Sequence, residues 1–252
     1  MADFTTRTER IIGPDGVNRL AGARVLVIGC GGVGSSCAEA LARGGIGHLG
    51  LVDRDKVEAS NINRQAIAFH STIGKRKVDV MELMVHDINP DCEVEAFDRF
   101  LKAEDIPAFF ERYRDEPGPG SWNVDWVVDA VDTISTKLAL AEFADKKGLP
   151  LVSSMGGGNK LNPEHFAFAD IYETVNCPLC RIMRKEARKR GIASLRVLYS
   201  KEHPAPTETE PGSERRDRSD LGTMSYVPPI MGQMLAGWVI RQLLQLDDGG
   251  CA

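Results

Sequence analysis

The sequence predicts an α/β protein with a Rossmann-like, doubly wound and mostly parallel sheet and a C-terminal extension. Between positions 24 and 153, short apolar runs rich in β-branched residues alternate with helix-forming segments. Most of these runs are continuous rather than alternating, which is typical of strands that are buried on both faces. Strands that alternate with helices in this way build parallel sheets with helices on both sides.

Local signals set the limits of each predicted element. Gly44 and Gly45 end the first helix, and Asn89 with Pro90 ends the second. The predicted strands are 24–28, 49–52, 94–97, 125–129 and 149–153, and the predicted helices are 33–43, 75–88, 106–113, 136–147 and 228–246. We expect one domain over residues 1–252, with a core at 20–155 and an extension at 156–246. The turn-rich segment 116–121 and the proline-rich, charged segment 203–220 are predicted to be flexible loops.

Charge and hydropathy argue against a strongly basic nucleic-acid binder and against a membrane-spanning protein. With 31 Lys and Arg against 36 Asp and Glu, the net charge is −5, so a nucleic-acid contact requires a local basic patch. The most apolar stretch, 230–240, is shorter than the about 20 residues that a membrane span needs. The amino terminus has no apolar signal segment, and the six cysteines are scattered. The sequence therefore predicts a cytoplasmic protein.

A glycine-rich loop joins the first predicted strand to the first predicted helix. Gly29, Gly31 and Gly34 have the G-x-G-x-x-G spacing, and Gly32 adds a fourth glycine. Such a loop lets a phosphate approach the backbone and the N–H groups of the helix N-terminus. Asp53 lies 24 residues after Gly29, at the end of the second strand, where a carboxylate can bind ribose hydroxyls. The loop predicts a nucleotide site, but both NAD and ATP would fit it.

The polar segment 53–65 favours ATP over NAD. Hydride transfer has no use for such a cluster, whereas attack on a phosphate needs cations for the phosphoryl oxygens and a carboxylate for Mg²⁺. Arg64 and Lys77 are the candidate cations, and Asp132, which follows the strand at 125–129, is the candidate Mg²⁺ ligand. Spacing alone leaves two alternatives open, namely that Lys77 is an ordinary surface lysine and that Asp132 is a helix cap.

Five motifs occur in order along the chain: Gly29-x-Gly-Gly-Val-Gly-Ser35, Asp53-x-Asp55, Asn61-x-Asn63-Arg64-Gln65, Gly74-x-x-Lys77 and Asp129-x-x-Asp132. Together they resemble the adenylating enzymes related to ubiquitin activation, and the resemblance covers nearly the whole chain. It implies that ATP is bound by Gly29, Gly31, Gly32, Gly34, Ser35, Asp53, Asp55, Asn61, Arg64 and Lys77. It also implies catalytic roles for Arg64, Lys77, Asp132 and Arg10, with Mg²⁺ held by Asp132.

The N-terminal basic residues carry a further implication of this resemblance. Arg10, and less directly Arg7, is similar to a basic element that enters the ATP site of the partner subunit in this family. The resemblance therefore implies a homodimer with shared ATP sites.

Motifs in the second half of the chain resemble one branch of the family, the tRNA threonylcarbamoyladenosine dehydratases. These motifs are 154–163, 184–191, 199–204 and 222–236. The branch implies that ATP activates the threonyl carboxylate of the modified base next to the anticodon, and that a nucleophile of the substrate then closes a ring. A sulfur-transfer partner protein is also consistent with the family.

Two other functions remain as alternatives. An activating enzyme for a ubiquitin-like sulfur-carrier protein would share the ATP site, but such relatives carry a second C-x-x-C pair near the C-terminus that this chain lacks. A non-enzymatic or NAD-dependent nucleotide-binding protein is disfavoured by the polar cluster around Arg64 and Lys77. The dehydratase resemblance is the leading interpretation.

Cys177-Pro-Leu-Cys180 has C-x-x-C spacing, and three interpretations of it stay open. A structural zinc site needs two further ligands, and Cys251 stands alone in the C-terminal tail. A redox or covalent role requires a thiolate, which a helix N-terminus can stabilise. The interpretation that the sequence favours is structural, with two small residues opening a helix.

The segment 181–190 carries six basic residues and one acidic residue. On a helix, Arg181, Arg184, Lys185 and Arg188 share one face. A solvated surface helix has this pattern, and so does a surface that docks an RNA phosphate backbone. The resemblance to tRNA-modifying enzymes favours tRNA binding by these four residues.

Overall fold

Seven strands form one sheet in the computed structural model, which describes residues 4–111, 124–206 and 221–246. The strands are β1 (Arg24–Ile28), β2 (His48–Val52), β3 (Glu93–Phe97), β4 (Trp126–Asp129), β5 (Leu151–Ser154), β6 (Phe166–Asp170) and β7 (Arg196–Ser200). Their order is β3-β2-β1-β4-β5-β7-β6, and every neighbouring pair is parallel except β6 with β7. The predicted mostly parallel, doubly wound sheet is confirmed.

Seven α-helices accompany the sheet in the described ranges. They are α1 (Thr6–Ala21), α2 (Gly32–Arg43), α3 (Lys77–Ile88), α4 (Ile106–Glu111), α5 (Ile134–Lys147), α6 (Pro178–Lys189) and α7 (Val227–Leu243). The side chains of β1 alternate between two apolar cores: Val25 and Val27 pack with α2, α3 and α7, whereas Leu26 and Ile28 pack with α4, α5 and α6. Both faces of the sheet are therefore covered, which explains the continuous apolar runs of its central strands.

Predicted and observed elements agree within two residues for five strands and for the helices α2, α3 and α5, and within three residues for α7. Three elements were not predicted: α1, β6 and β7. Helix α1 bends at Gly13, whose φ of 71° interrupts the helical pattern immediately before Pro14. Strands β6 and β7 show that the extension at 156–246 continues the same sheet.

Some predictions fall outside the described residues. The end of the helix predicted at 106–113, the loop predicted at 116–121 and the part of the predicted loop 203–220 beyond residue 206 lie there, as does Cys251. None of the described helices is long and apolar enough to cross a membrane.

Helices α2 and α7 approach each other closely through glycine. A Cβ atom added to Gly232 would lie 2.3 Å from the carbonyl oxygen of Val33 and 2.8 Å from the backbone nitrogen of Cys37. Farther along α7, Trp238 packs edge-to-face against Trp126 with ring centroids 4.9 Å apart. The contact between α2 and α7 therefore depends on the absence of a side chain at Gly232.

We expect Gly232→Ala to lower the free energy of unfolding by about 1–3 kcal/mol, because the added methyl group meets backbone atoms that cannot move aside. Gly237→Ala in the same helix is the matched control, since its added Cβ would have no neighbour within 4 Å. Gly237→Ala should raise the free energy of unfolding by about 0.5–1 kcal/mol, because alanine has a higher helix propensity than glycine. Urea denaturation of both variants measures the difference. Equal effects of the two substitutions would contradict the close-packing argument.

Candidate active site

A pocket of about 680 Å³ opens at the carboxyl ends of β1, β2 and β4. Ligands bind at this edge in sheets of this kind, and the volume suits a small organic ligand. The pocket brings together most of the predicted site residues: Gly29, Gly31, Gly32, Asp53, Asp55, Asn61, Arg64, Lys77 and Asp132. Five cationic and four carboxylate side chains occur among the described residues that line it. Its charge is therefore mixed rather than uniformly positive.

The glycine loop forms the floor of the pocket through close backbone contacts. Gly29 has a φ of 96°, and a Cβ there would lie 2.8 Å from the carbonyl oxygen of Ala130. A Cβ on Gly34 would lie 1.7 Å from the carbonyl oxygen of Gly29. At Gly31, by contrast, an added Cβ would have no neighbour within 4 Å, and no side chain caps the start of α2. The first N–H groups of α2 thus face space that a phosphate group can enter.

Gly34 and Ser35 are not among the residues that line the pocket, and their role in binding ATP stays a prediction. Gly34 lets α2 pack tightly against the end of β1, as the 1.7 Å contact shows. Ser35 is fully buried, and its Oγ accepts a hydrogen bond from the backbone N–H of Ala66 at 3.1 Å. Ser35 therefore holds the segment that carries Arg64 against α2.

Asp53 connects the second strand to the glycine loop. Its Oδ2 accepts from the N–H of Cys30 at 2.7 Å, and its Oδ1 accepts from the N–H of Asp55 at 2.8 Å. Burial raises the pKa of Asp53, while Lys77 and these two N–H groups oppose the shift. Each carboxylate oxygen can accept a further hydrogen bond, so Asp53 can hold the loop in place and still receive ribose hydroxyls.

Lys77 and Asp132 both lie at the pocket, and neither of the two alternatives raised for them is correct. Lys77 is 6% exposed at the start of α3, and its Nζ lies 3.0 Å from Oδ2 of Asp55, so it is not an ordinary surface lysine. Asp132 precedes Thr133, which occupies the N-cap position of α5 although its side chain makes no capping hydrogen bond, so Asp132 is not at the cap position. The Oγ1 of Thr133 donates to Oδ1 of Asp132 at 3.2 Å.

Arg64 extends along the mouth of the glycine loop. Its guanidinium donates to the carbonyl oxygen of Ser60 at 2.9 Å and to Oδ1 of Asn63 at 3.0 Å. Asn61 is buried below it, and its Oδ1 accepts from the N–H of Glu58 at 3.1 Å. These bonds fix the direction of the Arg64 side chain by its own loop rather than by a carboxylate, which leaves its charge available for an anionic ligand.

Gln65 supplies a buried polar atom at the wall of the pocket. Its Oε1 accepts no hydrogen bond from any described residue. A buried acceptor without a partner is unfavourable, so such atoms often mark ligand contacts. An amino group or a hydroxyl group of a nucleotide would supply the missing donor.

A buried ion pair below the pocket was missed in the sequence. Lys137 on α5 lies 3.0 Å from Oδ2 of Asp129 and donates to the carbonyl oxygen of Ser154 at 2.6 Å. The Oγ of Ser153 donates to the same Asp129 oxygen at 2.6 Å, and the N–H of Val131 donates to Oδ1 at 3.2 Å. A lysine within the apolar pattern of a helix, after an aspartate that ends a buried strand, is the signal that could have revealed the pair.

The rim of the pocket contains a second feature that was missed. The guanidinium of Arg54 lies over the ring of Phe100, 4.5 Å from its centroid, and both residues line the pocket. Phe100 is 39% exposed. Phe100 follows the end of β3 by three residues, just as other pocket residues follow the ends of β1, β2 and β4. This position after a strand could have predicted its place at the pocket.

Helix α6 presents the predicted basic face only in part. Arg181, Lys185 and Arg188 are exposed, and Arg188 lies over the ring of Tyr172 at 5.2 Å. Arg184 is half-buried and donates to both the carbonyl oxygen and the Oγ1 of Thr174 at 2.6 Å. Arg184 therefore fixes α6 to the preceding loop, and its contact with tRNA stays a prediction.

The N-terminal arginines lie away from this pocket. Arg7 and Arg10 are exposed on α1, and no described residue of α1 lines the pocket.

The cysteine pair lies at the start of α6, where both residues are buried. No group of three or more His, Cys, Asp or Glu residues suited to a metal ion occurs within 4–111, 124–206 and 221–246. The zinc interpretation therefore has no support in these ranges.

Comparisons with known proteins agree with the motifs. The chain is 38% identical over 249 residues to a Bacillus subtilis protein named tRNA threonylcarbamoyladenosine dehydratase, covering 95% of this chain and 94% of the relative. It is 33% identical to the Escherichia coli protein of the same name, over 94% and 92% of the two chains.

The solved structure of that Escherichia coli dehydratase in complex with ATP superposes with a TM-score of 0.81 at 28% identity, covering 95% of this chain and 93% of the other. The complex with AMP gives a TM-score of 0.82 at 27% identity over the same shares. The sequence pattern of the ThiF family matches residues 5–250. The resemblance to adenylating enzymes is thereby confirmed, and this chain belongs to the ThiF family.

Proposed function

We propose that this protein is an ATP-dependent adenylating enzyme that dehydrates threonylcarbamoyladenosine next to the anticodon of tRNA. The observation that carries the proposal is that one pocket combines an uncapped helix N-terminus at Gly31 and Gly32 with Arg64 and Lys77. Relatives named as dehydratases of this nucleoside align with the chain over nearly its full length, which supports the choice of substrate.

The chemistry follows from what a carboxylate needs in order to react. The threonyl carboxylate attacks the α-phosphorus of ATP, pyrophosphate leaves, and the carboxyl oxygen becomes part of a mixed anhydride with AMP. A nucleophilic atom of the same substrate then attacks the activated carbonyl and expels AMP, so that the nucleoside loses one water overall. Arg64 and Lys77 stabilise the negative charge that develops on the phosphoryl oxygens, because they are held in place before the reaction begins.

The pocket also suits Mg²⁺, with Asp132 as its protein ligand. Mg²⁺ bound to ATP commonly takes one or two carboxylates and completes its coordination with phosphate oxygens and water. Asp132 is one of the four carboxylates among the described residues that line the pocket, and a single protein carboxylate at the ion fits this mode. The ion would neutralise phosphate charge, and Asp53 would receive the ribose hydroxyls.

The sulfur-carrier alternative is less well supported. An Aspergillus niger protein named as an adenylyltransferase and sulfurtransferase is 36% identical, but the match covers only 57% of this chain and 27% of that protein. A sulfur-transfer partner stays a prediction from the family resemblance. Action on tRNA is consistent with the predicted cytoplasmic location.

Incubation with ATP, Mg²⁺ and tRNA that carries threonylcarbamoyladenosine should yield a nucleoside lighter by one water, together with AMP and pyrophosphate. Arg64→Ala and Lys77→Ala should each slow this reaction by about 10²–10³-fold, as expected for the loss of one preorganised charge. Lys75→Ala is the matched control, because Lys75 is exposed two residues before Lys77 and does not line the pocket. Nucleoside mass spectrometry measures the product. Turnover by both pocket variants at the rate of Lys75→Ala would refute the assignment of the site.

The exposed basic face of α6 is proposed to dock the tRNA backbone. Arg181, Lys185 and Arg188 are exposed along one side of the helix, and the ring of Tyr172 lies under Arg188. Other basic residues of the helix are partly neutralised, since Lys189 pairs with Glu186 and Arg190 pairs with Glu142 on α5. The unpaired part of the face is therefore the part that suits phosphate groups.

Changing Arg181, Lys185 and Arg188 together to Gln should flatten the salt dependence of tRNA binding. Each lost phosphate contact removes about 0.7–0.9 from the slope of log K against log salt, so three contacts remove about two to three units. Arg184 is left unchanged because it holds the helix in place. ATP affinity should not change. Filter binding at several salt concentrations tests this, and a slope equal to that of the unaltered protein would show that α6 does not touch the tRNA.

A homodimer with shared sites is proposed from the position of α1. Arg7 and Arg10 are exposed and do not line the pocket of their own chain, so a role in catalysis requires a second copy. Ile11, beside Arg10, is 86% exposed, and an apolar side chain of this size at the surface is consistent with a subunit contact.

Mixing Arg10→Ala chains with Arg64→Ala chains should restore activity, because a mixed dimer contains one undamaged site. Random pairing makes half of the dimers mixed, so about a quarter of the full activity is expected. The matched control mixes Arg64→Ala chains with Lys77→Ala chains. Each substitution damages the pocket of the chain that carries it, so the two chains cannot complement one another. Restoration in both mixtures, or in neither, would contradict the shared site.

A further inference from the structure

Cys177 and Cys180 lie in direct contact at the first turn of α6. Cys177 is the residue that caps the helix, and its Sγ accepts from the N–H of Cys180 at 3.4 Å. Cys177 is 6% exposed and Cys180 is 1% exposed, so the cap sulfur is the outer one of the two. A sulfur folded back over the first turn is close enough to its neighbour to form a disulfide with little backbone movement.

The surroundings of the two sulfurs favour a thiolate on Cys177. The thiol of Cys180 and the N–H groups of Cys180 and Leu179 lower the pKa of Cys177 to about 6, although burial opposes the shift, and Lys160 adds to the lowering. The same contact, together with burial, raises the pKa of Cys180. The pair therefore consists of an outer thiolate and an inner thiol, which is the arrangement of reactive dithiols.

Lys160 links this pair to a loop of the pocket. It is 2% exposed, lies near the two sulfurs and donates to the main-chain oxygen of Glu202. The carboxylate of Glu202 in turn accepts from the N–H groups of Leu161 and Asn162 at 3.1 Å. Lys160 and Glu202 thus hold the loop at 156–162 against the segment that follows β7.

The start of α6 also touches this loop directly. The side chain of Leu179 packs against Gly156, 3.7 Å from the position that a Cβ would take there. Gly157 and Gly158, the next two residues, line the pocket. A structural change at the cysteine pair can therefore shift the pocket wall through two contacts, that of Leu179 with Gly156 and that of Lys160 with the two sulfurs.

We propose that Cys177 and Cys180 form a reversible redox site, oxidised by hydroperoxides to a disulfide that loosens the loop at 156–162. This inference does not depend on the proposed tRNA reaction, because it concerns the thiols and the loop alone. Disulfide formation removes the negative charge that faces Lys160 and leaves the Cys177 sulfur a weaker acceptor for the first turn of α6. Both changes weaken what holds the loop.

The oxidation takes two balanced steps. The thiolate of Cys177 attacks one oxygen of hydrogen peroxide, which forms the S–O bond of a sulfenic acid, breaks the O–O bond and releases hydroxide. The sulfur of Cys180 then attacks the sulfur of Cys177, which forms the S–S bond and expels the sulfenic oxygen as water with the Cys180 proton. Two sulfur atoms are oxidised, one peroxide is reduced to two waters, and a dithiol reductant reverses the change.

The experiment treats the reduced full-length protein with hydrogen peroxide, alkylates the remaining thiols and analyses peptides by mass spectrometry. The peptide with Cys177 and Cys180 should lose both alkylation sites and the mass of two hydrogens, and dithiothreitol should restore it. In Cys180→Ser, Cys177 should stop as a sulfenic acid that dimedone traps. Cys92→Ser is the matched control and should behave as the unaltered protein, because burial raises the pKa of Cys92 to about 12.

Hydrogen exchange on the same samples tests the effect on the loop. Backbone amides at 156–162 should exchange faster in the oxidised protein than in the reduced protein, and peroxide should cause no such change in Cys177→Ser. Two results would overturn the proposal. One is that Cys177 and Cys180 stay alkylatable under peroxide, or are oxidised no faster than Cys37 and Cys92. The other is a disulfide that leaves the exchange of the loop unchanged.

Discussion

The buried ion pair between Lys137 and Asp129 fixes the geometry on which the pocket depends. Lys137 joins the ends of β4 and β5, while the other oxygen of Asp129 holds the N–H of Val131 immediately before Asp132. Removing two charges from water is costly, and the pair is compensated by further hydrogen bonds from Ser153 and Val131 to Asp129 and from Lys137 to Ser154. This cluster fixes the position of two loops, because it binds the backbone of Val131 before Asp132 and the backbone of Ser154 before Gly157.

Contacts within the protein also fix the positions of the charged side chains in the pocket. Lys77 is paired with Asp55, whereas Arg64 is oriented by its own loop and Asp53 holds the backbone of the glycine loop. Each group is thus fixed by protein contacts before any ligand arrives, so little reorganisation is needed on binding. A site with both signs of charge also avoids the repulsion that several unpaired cations would cause in a confined space.

The central strands and the glycine loop could be predicted because their signals are local. β1 and β4 are continuous apolar runs, since helices cover both of their faces. Strand β6 was missed because Phe166-Ala-Phe-Ala-Asp170 is only partly buried and pairs with β7, which lies 26 residues or more away in sequence. The burial of Lys77 and the hydrogen bonds from Arg184 to Thr174 could not be predicted from the sequence either, because both depend on tertiary packing. The motifs could identify the chemistry, but spacing alone could not show which motif residues line the pocket, as the position of Gly34 and Ser35 outside its lining illustrates.

The packing of α7 on α2 has a consequence for how the chain is made. Gly232 touches the backbone of Val33, and a side chain on Gly32 would meet Pro228, so the helix after the glycine loop is covered by a segment from the far end of the described chain. On the ribosome, α2 emerges long before α7, and its apolar face stays open to water until α7 follows. Nascent chains of this protein therefore expose the apolar face of α2 while the nearly 200 residues between α2 and α7 are made. The pocket wall at Pro228 therefore forms only after α7 has been made, later than the glycine loop that it covers.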